Sequence, residues 1–250
     1  MQISQKEMML YGTTPAEFSK EYYLQHNALG ITVPTTLHLD HTVDMDIIIK
    51  AIDAGFESVM IDASSRALSE NIDITSQVVS YAHSKGVSVE AELGRIGGAD
   101  QIETDEDKEL FTDPGEAELF VRRTGVDALA VSVGTAHGVY TARQPIIDYD
   151  IIRQIKELTP VYLVLHGGSG VPAEMVIQSY KMEGGGISKI NIATDLELAL
   201  LETVGQRERM NNAWCNELSK KLLDLGREAV YSLTCDRIEN YLHAKGKAWS

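Results

Sequence analysis

Several common features are scarce or absent in this 250-residue chain, and each scarcity excludes a class of protein. The two cysteines, Cys215 and Cys235, are too few and too poorly spaced for a disulfide framework or a cysteine metal site. No apolar run approaches the roughly 18 residues that suggest a membrane-spanning helix. The opening MQISQKEMML also lacks the basic start and long apolar stretch of a secretory signal. We therefore expect a reduced, cytoplasmic protein.

Basic residues are also in short supply. The chain carries 37 acidic and 22 basic residues, which gives a net charge of −15. Such a surface repels nucleic acid and anionic membranes, so we expect neither as a partner. It would repel an anionic substrate as well. A bound phosphate would therefore have to be held by local backbone dipoles, because the overall field opposes it.

Apolar, β-branched runs alternate with longer amphipathic stretches along most of the sequence, which is typical of a parallel sheet with helical connections. Strands are predicted at residues 34–40, 58–63, 87–93, 127–133, 161–166 and 187–193, with MQIS as a candidate seventh. Helices are predicted near residues 43–54, 69–85, 115–124, 146–157 and 172–183, and residues 195–245 form a predicted helical extension. No linker is visible, so we expect residues 1–250 to form one domain.

Three histidines stand at the ends of separate apolar runs: His41 in TTLHLDH, His137 in AVSVGTAHG and His166 in VYLVLHGGSG. Neutral imidazole is the commonest protein ligand for zinc, and the ends of parallel barrel strands surround a common mouth. The pattern predicts a divalent metal there, with the adjacent Asp40 placed for proton transfer. Read alone, the LHLDH run is equally consistent with an aspartate that caps the following helix.

Two small-residue segments follow consecutive predicted strands. His166 is followed by Gly167, Gly168, Ser169 and Gly170 ahead of a helix, an arrangement that binds anions through backbone N–H groups. The second segment is Asn191-Ile192-Ala193-Thr194. The last two strand-end loops are the usual phosphate site of an eight-stranded α/β barrel, so the two segments together predict such a site.

Asp62 and Glu92 are acids within otherwise apolar strands, where burial without a partner is costly. A cation would remove that cost, and two sources remain open. One is a second metal ion. The other is Lys189, which should point into the barrel and pair with Glu90 or Glu92.

The segments HLDH, VEAELGRIGG, VGTAHGVY, LVLHGGSG and KINIAT occur in the order and spacing of a known family. From about residue 31 to 196 the chain resembles the class II, metal-dependent ketose-bisphosphate aldolases, and in particular their shorter tagatose- and fructose-bisphosphate members. The resemblance implies a TIM (β/α)8 barrel with zinc as Lewis acid, and with a second divalent or a monovalent cation in part of the family. It also implies a sugar phosphate substrate and a homodimer or homotetramer.

The resemblance assigns roles to the candidate residues. Asp40 would be the catalytic proton donor and acceptor. The zinc ligands would be His41, His137 and His166, and a second metal would bind Asp62 and Glu92. The substrate would contact Gly138, Gly167, Gly168, Ser169, Asn191, Ile192, Ala193 and Thr194.

Two departures from the family pattern stand out. Relatives often have Glu-Glu after the Gly-Gly pair, where this chain has Ala99-Asp100. The shorter Asp100 would have to replace a glutamate in the acidic loop 97–113. In addition, the family barrel begins with a βα unit that precedes the segment aligned with MQIS. We therefore expect a barrel that lacks its first βα unit in this chain.

The expected reaction is zinc-dependent, reversible cleavage of fructose or tagatose 1,6-bisphosphate to dihydroxyacetone phosphate and glyceraldehyde 3-phosphate. An aldolase for 6-phospho-5-dehydro-2-deoxy-gluconate is the main alternative within the family. A Schiff-base aldolase that uses Lys189 would leave the three histidines without a task. A zinc hydrolase or a degenerate, non-catalytic barrel completes the alternatives.

Overall fold

A computed structural model of the protein describes residues 1–94, 96, 111–138, 140 and 144–248. Strands and helices alternate along these residues, as the sequence pattern predicts. The strands are β1 (Gln2–Ser4), β2 (His38–Thr42), β3 (Ser58–Ile61), β4 (Ser88–Leu93), β5 (Ala128–Val131), β6 (Tyr162–Leu165) and β7 (Ile187–Ile190). The helices are α1 (Gln5–Tyr11), α2 (Pro15–Ala28), α3 (Met45–Asp53), α4 (Leu68–Ser84), α5 (Pro114–Thr124), α6 (Tyr149–Leu158), α7 (Ala173–Tyr180), α8 (Thr194–Val204), α9 (Asn212–Glu217) and α10 (Lys220–Asp236), followed by a π-helical turn (Arg237–Tyr241).

The described strands form one curled parallel sheet in the order β1 to β7, with β1 and β7 at its edges. The predicted strand at MQIS is confirmed as β1. The curl brings Asn191, just after β7, within 3.2 Å of Asp40 on β2, where its amide donates a hydrogen bond. The sheet is thus a seven-stranded half-barrel of TIM type. That the barrel lacks its first βα unit in this chain stays a prediction.

The two faces of the sheet differ in chemistry. On the outer face, Leu39, Leu129 and Leu163 are fully buried in the main core beneath the helices. On the inner face, Met60, Ala130 and Val164 form a small apolar floor. Because side chains alternate along a strand, the same inner face becomes polar two residues later, where β3 and β6 lead to Asp62 and His166. The polar groups therefore collect at the carboxyl ends of the strands.

Helices α1 and α2 are additional to the predicted ones. Each begins with a capping box, in which Ser4 and Glu7, or Thr14 and Glu17, hydrogen-bond each other's backbone N–H groups. Only Met8 in α1 and Ser19 in α2 are buried, so neither helix has the apolar stripe that reveals a helix in sequence. None of the described helices is both long and apolar enough to cross a membrane.

The turn before β7 depends on three consecutive glycines. Gly184 and Gly185 adopt φ angles of 82° and 106°, which glycine reaches without steric cost. Gly186 has an ordinary φ but no room, because a Cβ there would overlap the carbonyl oxygen of Ser179 in α7. The glycines therefore allow the chain to pass close to α7 before it enters the edge strand.

Substitution of Gly186 should test this packing. We expect Gly186→Ala to lower the free energy of unfolding by at least about 2 kcal/mol, because the methyl group must displace the backbone of α7. Gly184→Ala is the matched control: its Cβ meets open space, so only the positive-φ strain of about 1 kcal/mol remains. Urea unfolding monitored by circular dichroism measures both variants. Equal stabilities for the two would contradict the packing argument.

Candidate metal centre and active site

An irregularity in β2 places consecutive residues at the same end of the sheet. The pairing of β2 with β3 shifts register between Leu39 and Thr42, so Asp40 and His41 lie at a bulge. Bulges redirect side chains and are common beside active sites. Asp40 contacts Asn191, and the His41 ring packs against the ring of His166. Both side chains therefore face the mouth of the sheet, although a regular strand would point them to opposite faces.

His41, His137 and His166 converge as the sequence predicts. Their ring centroids lie 4.9 Å (His41–His137), 4.5 Å (His41–His166) and 5.6 Å (His137–His166) apart. One ring nitrogen of each lies within 4.8 Å of the others, which suits a single divalent ion. The buried Nε2 of His41 finds no hydrogen-bond partner among the described residues. An unsatisfied buried imidazole nitrogen fits a metal ligand, because it would otherwise carry a desolvation cost.

Three carboxylates surround the histidines. The Nδ1 of His41 lies 2.9 Å from Asp62 Oδ2, while His166 lies between Glu92 (Nδ1–Oε2, 3.1 Å) and Glu90 (Nε2–Oε1, 3.0 Å). Carboxylates in this position orient metal-binding imidazoles. His41, Asp62 and Glu92 also form a second group that could hold an ion. A direct metal role for Asp62 and Glu92 stays a prediction.

The pKa values of His166 and His137 are shifted in opposite directions, because His166 lies beside carboxylates and His137 lies beside the other two histidines. Burial opposes the charged form of His166, but Glu90 and Glu92 outweigh it and raise the pKa of His166 to about 10. Burial and the positive charges of His41 and His166 lower the pKa of His137 to about 3. His137 is therefore a neutral ligand at pH 7, whereas His166 must give up a proton before it can bind a metal.

Asp40 is held by polar groups from both edges of the sheet. Gln2 of β1 donates to its Oδ2 (3.1 Å), and Asn191 donates to Oδ1 and Oδ2 (3.2 and 3.3 Å). Burial opposes ionisation of Asp40, but His38 and the nearby positive charges outweigh it and hold its pKa well below the usual range. The carboxylate is thus ionised and fixed in orientation, so it is free of a proton and able to accept one.

Lys189 pairs with one of the two glutamates left open by the sequence. Its Nζ lies 2.9 Å from Glu90 Oε2 and donates to Asn191 Oδ1 at 2.8 Å. This second bond fixes the Asn191 amide so that its NH₂ group faces Asp40. Lysine therefore accounts for the buried Glu90, whereas Glu92 relies on His166.

The predicted anion-binding segments lie together beside the histidines. A Cβ at Gly167 would overlap the backbone of Ala136, so only glycine permits this close approach of the two loops. Ala193 carries no side chain that could cap α8, and Ser169 Oγ instead accepts the N–H of Asp195 at 3.1 Å. Such a helix start is suited to an anion.

The remaining substrate candidates divide by how they face the site. Gly138 and Thr194 line one cavity of about 180 Å³, together with Tyr140, Gln144, Pro145, Gly170, Asp195 and Leu198. The partly buried side chain of Ile192 packs against the main core. Asp100 lies outside the described residues.

Several residues of the site were not among the sequence candidates. Gln2 and Tyr140 contact it from distant segments, and Tyr140 accepts the N–H of Ala136 at 2.8 Å. Tyr241 donates to the carbonyl of Gly168, which is 73 positions away in sequence. Sequence reasoning could not find these contacts. The pairing of Ser4 with Asp40, which places Gln2 and Asp40 on the same face of the sheet, is visible only in the structure.

Comparison with known proteins gives consistent matches. A family model described as fructose-bisphosphate aldolase class-II matches residues 1–247. A fructose-bisphosphate aldolase from Geobacillus stearothermophilus is 40% identical over 220 residues, which is 88% of this chain and 74% of that protein. Among solved structures, the YdjI aldolase from Escherichia coli K12 has a TM-score of 0.80 at 32% identity, covering 99% of this chain and 82% of that one. Fructose-bisphosphate aldolase from Campylobacter jejuni (TM-score 0.73, 23% identity, covering 96% and 82%) shares the fold.

The raised pKa of His166 predicts that metal binding releases a proton. At pH 7 a group with a pKa of about 10 is protonated, so Zn²⁺ must displace its proton and should bind more weakly as the pH falls. Calorimetric titration of metal-free protein with Zn²⁺, in buffers of different ionisation enthalpy, should give release of about one proton. Glu92→Gln removes one of the charges that hold the proton and should reduce the release. Zero release by the wild-type protein would contradict the assignment.

Proposed function

Since the chain belongs to the class II fructose-bisphosphate aldolase family and is thus a lyase, we propose that it cleaves a ketose 1,6-bisphosphate reversibly with zinc as its metal. The substrate is fructose or tagatose 1,6-bisphosphate, and the products are dihydroxyacetone phosphate and glyceraldehyde 3-phosphate. One observation carries the proposal: three histidines from separate strand ends converge beside a fixed, ionised Asp40 and two anion-binding loops. Cleavage of 6-phospho-5-dehydro-2-deoxy-gluconate is the alternative within the family.

The metal would be held by His41, His137 and His166, and would supply Lewis-acid polarisation of the substrate carbonyl. Asp40 takes the proton from the substrate hydroxyl during cleavage and returns it during condensation. Gln2 and Asn191 keep its carboxylate oriented for this transfer. The loops that contain Ser169 and Thr194 hold a phosphate group and so fix the distance between substrate and base.

Lys189 fits a structural role better than that of a Schiff-base nucleophile. A nucleophilic amine needs a free lone pair. The ammonium group of Lys189 instead donates to both Glu90 and Asn191. The lysine mechanism would also leave the three histidines unused, so we propose the metal mechanism alone.

The assembly and location belong to the same proposal. We propose a homodimer or homotetramer in the cytoplasm. Exposed apolar side chains in the C-terminal helical region, Trp214, Tyr231 and Ile238, support an interface there.

A substrate panel with metal control tests the reaction. We expect aldol cleavage of at least one of the three sugar phosphates, complete loss of activity in excess EDTA and recovery with Zn²⁺, because the carbonyl is not polarised without the ion. Coupled detection of the triose phosphate product measures the rate. Full activity in EDTA, or a borohydride-trapped substrate on Lys189 found by mass spectrometry, would overturn the metal mechanism.

Asp40→Asn tests the proton-transfer role. The amide keeps the shape of the carboxylate but cannot accept the proton, so kcat should fall by about 10²- to 10⁴-fold. Zinc content and melting temperature should stay near the wild-type values, because Asp40 is not among the three proposed zinc ligands. Asp150→Asn is the matched control, since Asp150 is exposed on α6 and forms an ion pair with Arg153, which is also exposed. A variant Asp40→Asn with wild-type kcat would exclude Asp40 as the base.

A further inference from the structure

The π-helical turn after α10 contacts both of the anion-binding loops. Tyr241 donates a hydrogen bond of 2.5 Å to the carbonyl oxygen of Gly168, in the loop after β6. Arg237 donates to Asp195, in the first turn of α8 after β7, through Nε (3.2 Å) and Nη2 (2.7 Å) to the same Oδ2. One turn of the C-terminal segment therefore contacts two loops that also hydrogen-bond each other, through Ser169 and Asp195. Irregular helical turns of this kind occur often at functional sites.

Asp195 poses an electrostatic problem for an anion site. It lines the same cavity as Gly138 and Thr194, and its backbone N–H is bonded to Ser169. A carboxylate in this position repels a phosphate group, and the repulsion is strong where water is excluded. The guanidinium of Arg237 neutralises that charge through its two hydrogen bonds.

Tyr241 contributes to the arrangement in two ways. It is 4% exposed, and a buried tyrosine hydroxyl needs a hydrogen-bond partner, which the Gly168 carbonyl supplies. Its ring also lies 5.1 Å from the Arg237 guanidinium carbon, so the arginine stacks on it as a cation on an aromatic face. The tyrosine thus fixes the loop after β6 directly and fixes the loop after β7 through Arg237.

We propose that Arg237 and Tyr241 are positioning residues of the substrate phosphate site: Tyr241 holds the Gly168 loop in place, and Arg237 cancels the charge of Asp195. The C-terminal turn is then part of the binding site, although neither residue needs to touch the substrate. The change expected in KM rests on the proposed aldolase function. The change expected in phosphate affinity requires only that the two loops bind phosphate.

Inorganic phosphate is the probe. For Arg237→Met we expect phosphate affinity to fall, and KM to rise, by about tenfold, as is common for residues that support a binding group from behind. The value of kcat and the zinc content should stay within about twofold, since Arg237 hydrogen-bonds Asp195 and Asp236, and neither belongs to the histidine cluster or to the Asp40 site. For Tyr241→Phe, loss of one hydrogen bond predicts a fall of about fivefold.

Charge rescue separates electrostatics from mere packing. In the double variant Asp195→Asn with Arg237→Met the repelling carboxylate is gone, so phosphate affinity should recover most of what Arg237→Met loses. Arg237→Lys keeps the charge but not the paired N–H donors, and should lie between wild type and Arg237→Met. Arg227→Met is the matched control: Arg227 lies on α10 and pairs with Asp224, both largely exposed, so phosphate binding should not change.

The outcomes are distinguishable. Folded Arg237→Met and Tyr241→Phe variants with wild-type phosphate affinity would overturn the inference, and so would a double variant that shows no recovery. If Arg237→Met does not fold, Tyr241→Phe and the double variant decide. A wild-type protein that cleaves none of the three sugar phosphates defeats the proposed function, while calorimetric titration of phosphate still tests the turn. Failure of the wild-type protein to bind phosphate would overturn the inference itself.

Discussion

The structure depends on how carboxylates are neutralised inside the curled sheet. Glu90 and Glu92 are each 2% exposed, and an unpaired buried carboxylate costs several kcal/mol. Both have cationic or imidazole partners, because His166 lies between them and Lys189 reaches Glu90. Burial opposes the charge on Glu90, yet these cations lower its pKa to about 2. The fixed positions of His166 and Lys189 follow from this pairing.

The same pairing makes a proton and a metal ion alternative counter-ions in one site. Without a metal, the proton on His166 balances the two glutamates; with one, the ion takes over that charge and the imidazole becomes a neutral ligand. His137, whose pKa burial lowers to about 3, offers its nitrogen without such an exchange. The histidines that point to a metal in the sequence are therefore also part of what stabilises the fold around them.

Local patterns in the sequence were sufficient for the parallel sheet and the three histidines, because each signal lies within one short run. Helices α1 and α2 were not predicted. Their capping boxes are visible in the sequence, but each helix has a single buried residue and therefore lacks the apolar periodicity by which a helix is recognised. Contacts between distant segments were beyond such reasoning. That Asn191 reaches Asp40 depends on how far the sheet curls, and the contact of Tyr241 with Gly168 depends on where the C-terminal helices return. Neither is encoded in spacing.

A net charge of −15 is compatible with a site for a sugar phosphate. Charges at the surface are screened by salt, whereas charges inside a cavity are screened much less. At physiological ionic strength, surface charges are screened beyond about 8 Å, so most of the acidic residues are scarcely felt at the mouth of the sheet. Asp195 is different: it lines the cavity itself, where screening is weak. One nearby carboxylate therefore matters more to a bound phosphate than the overall charge of the chain. This is why an arginine from the C-terminal turn, and no general excess of basic residues, is needed at this position.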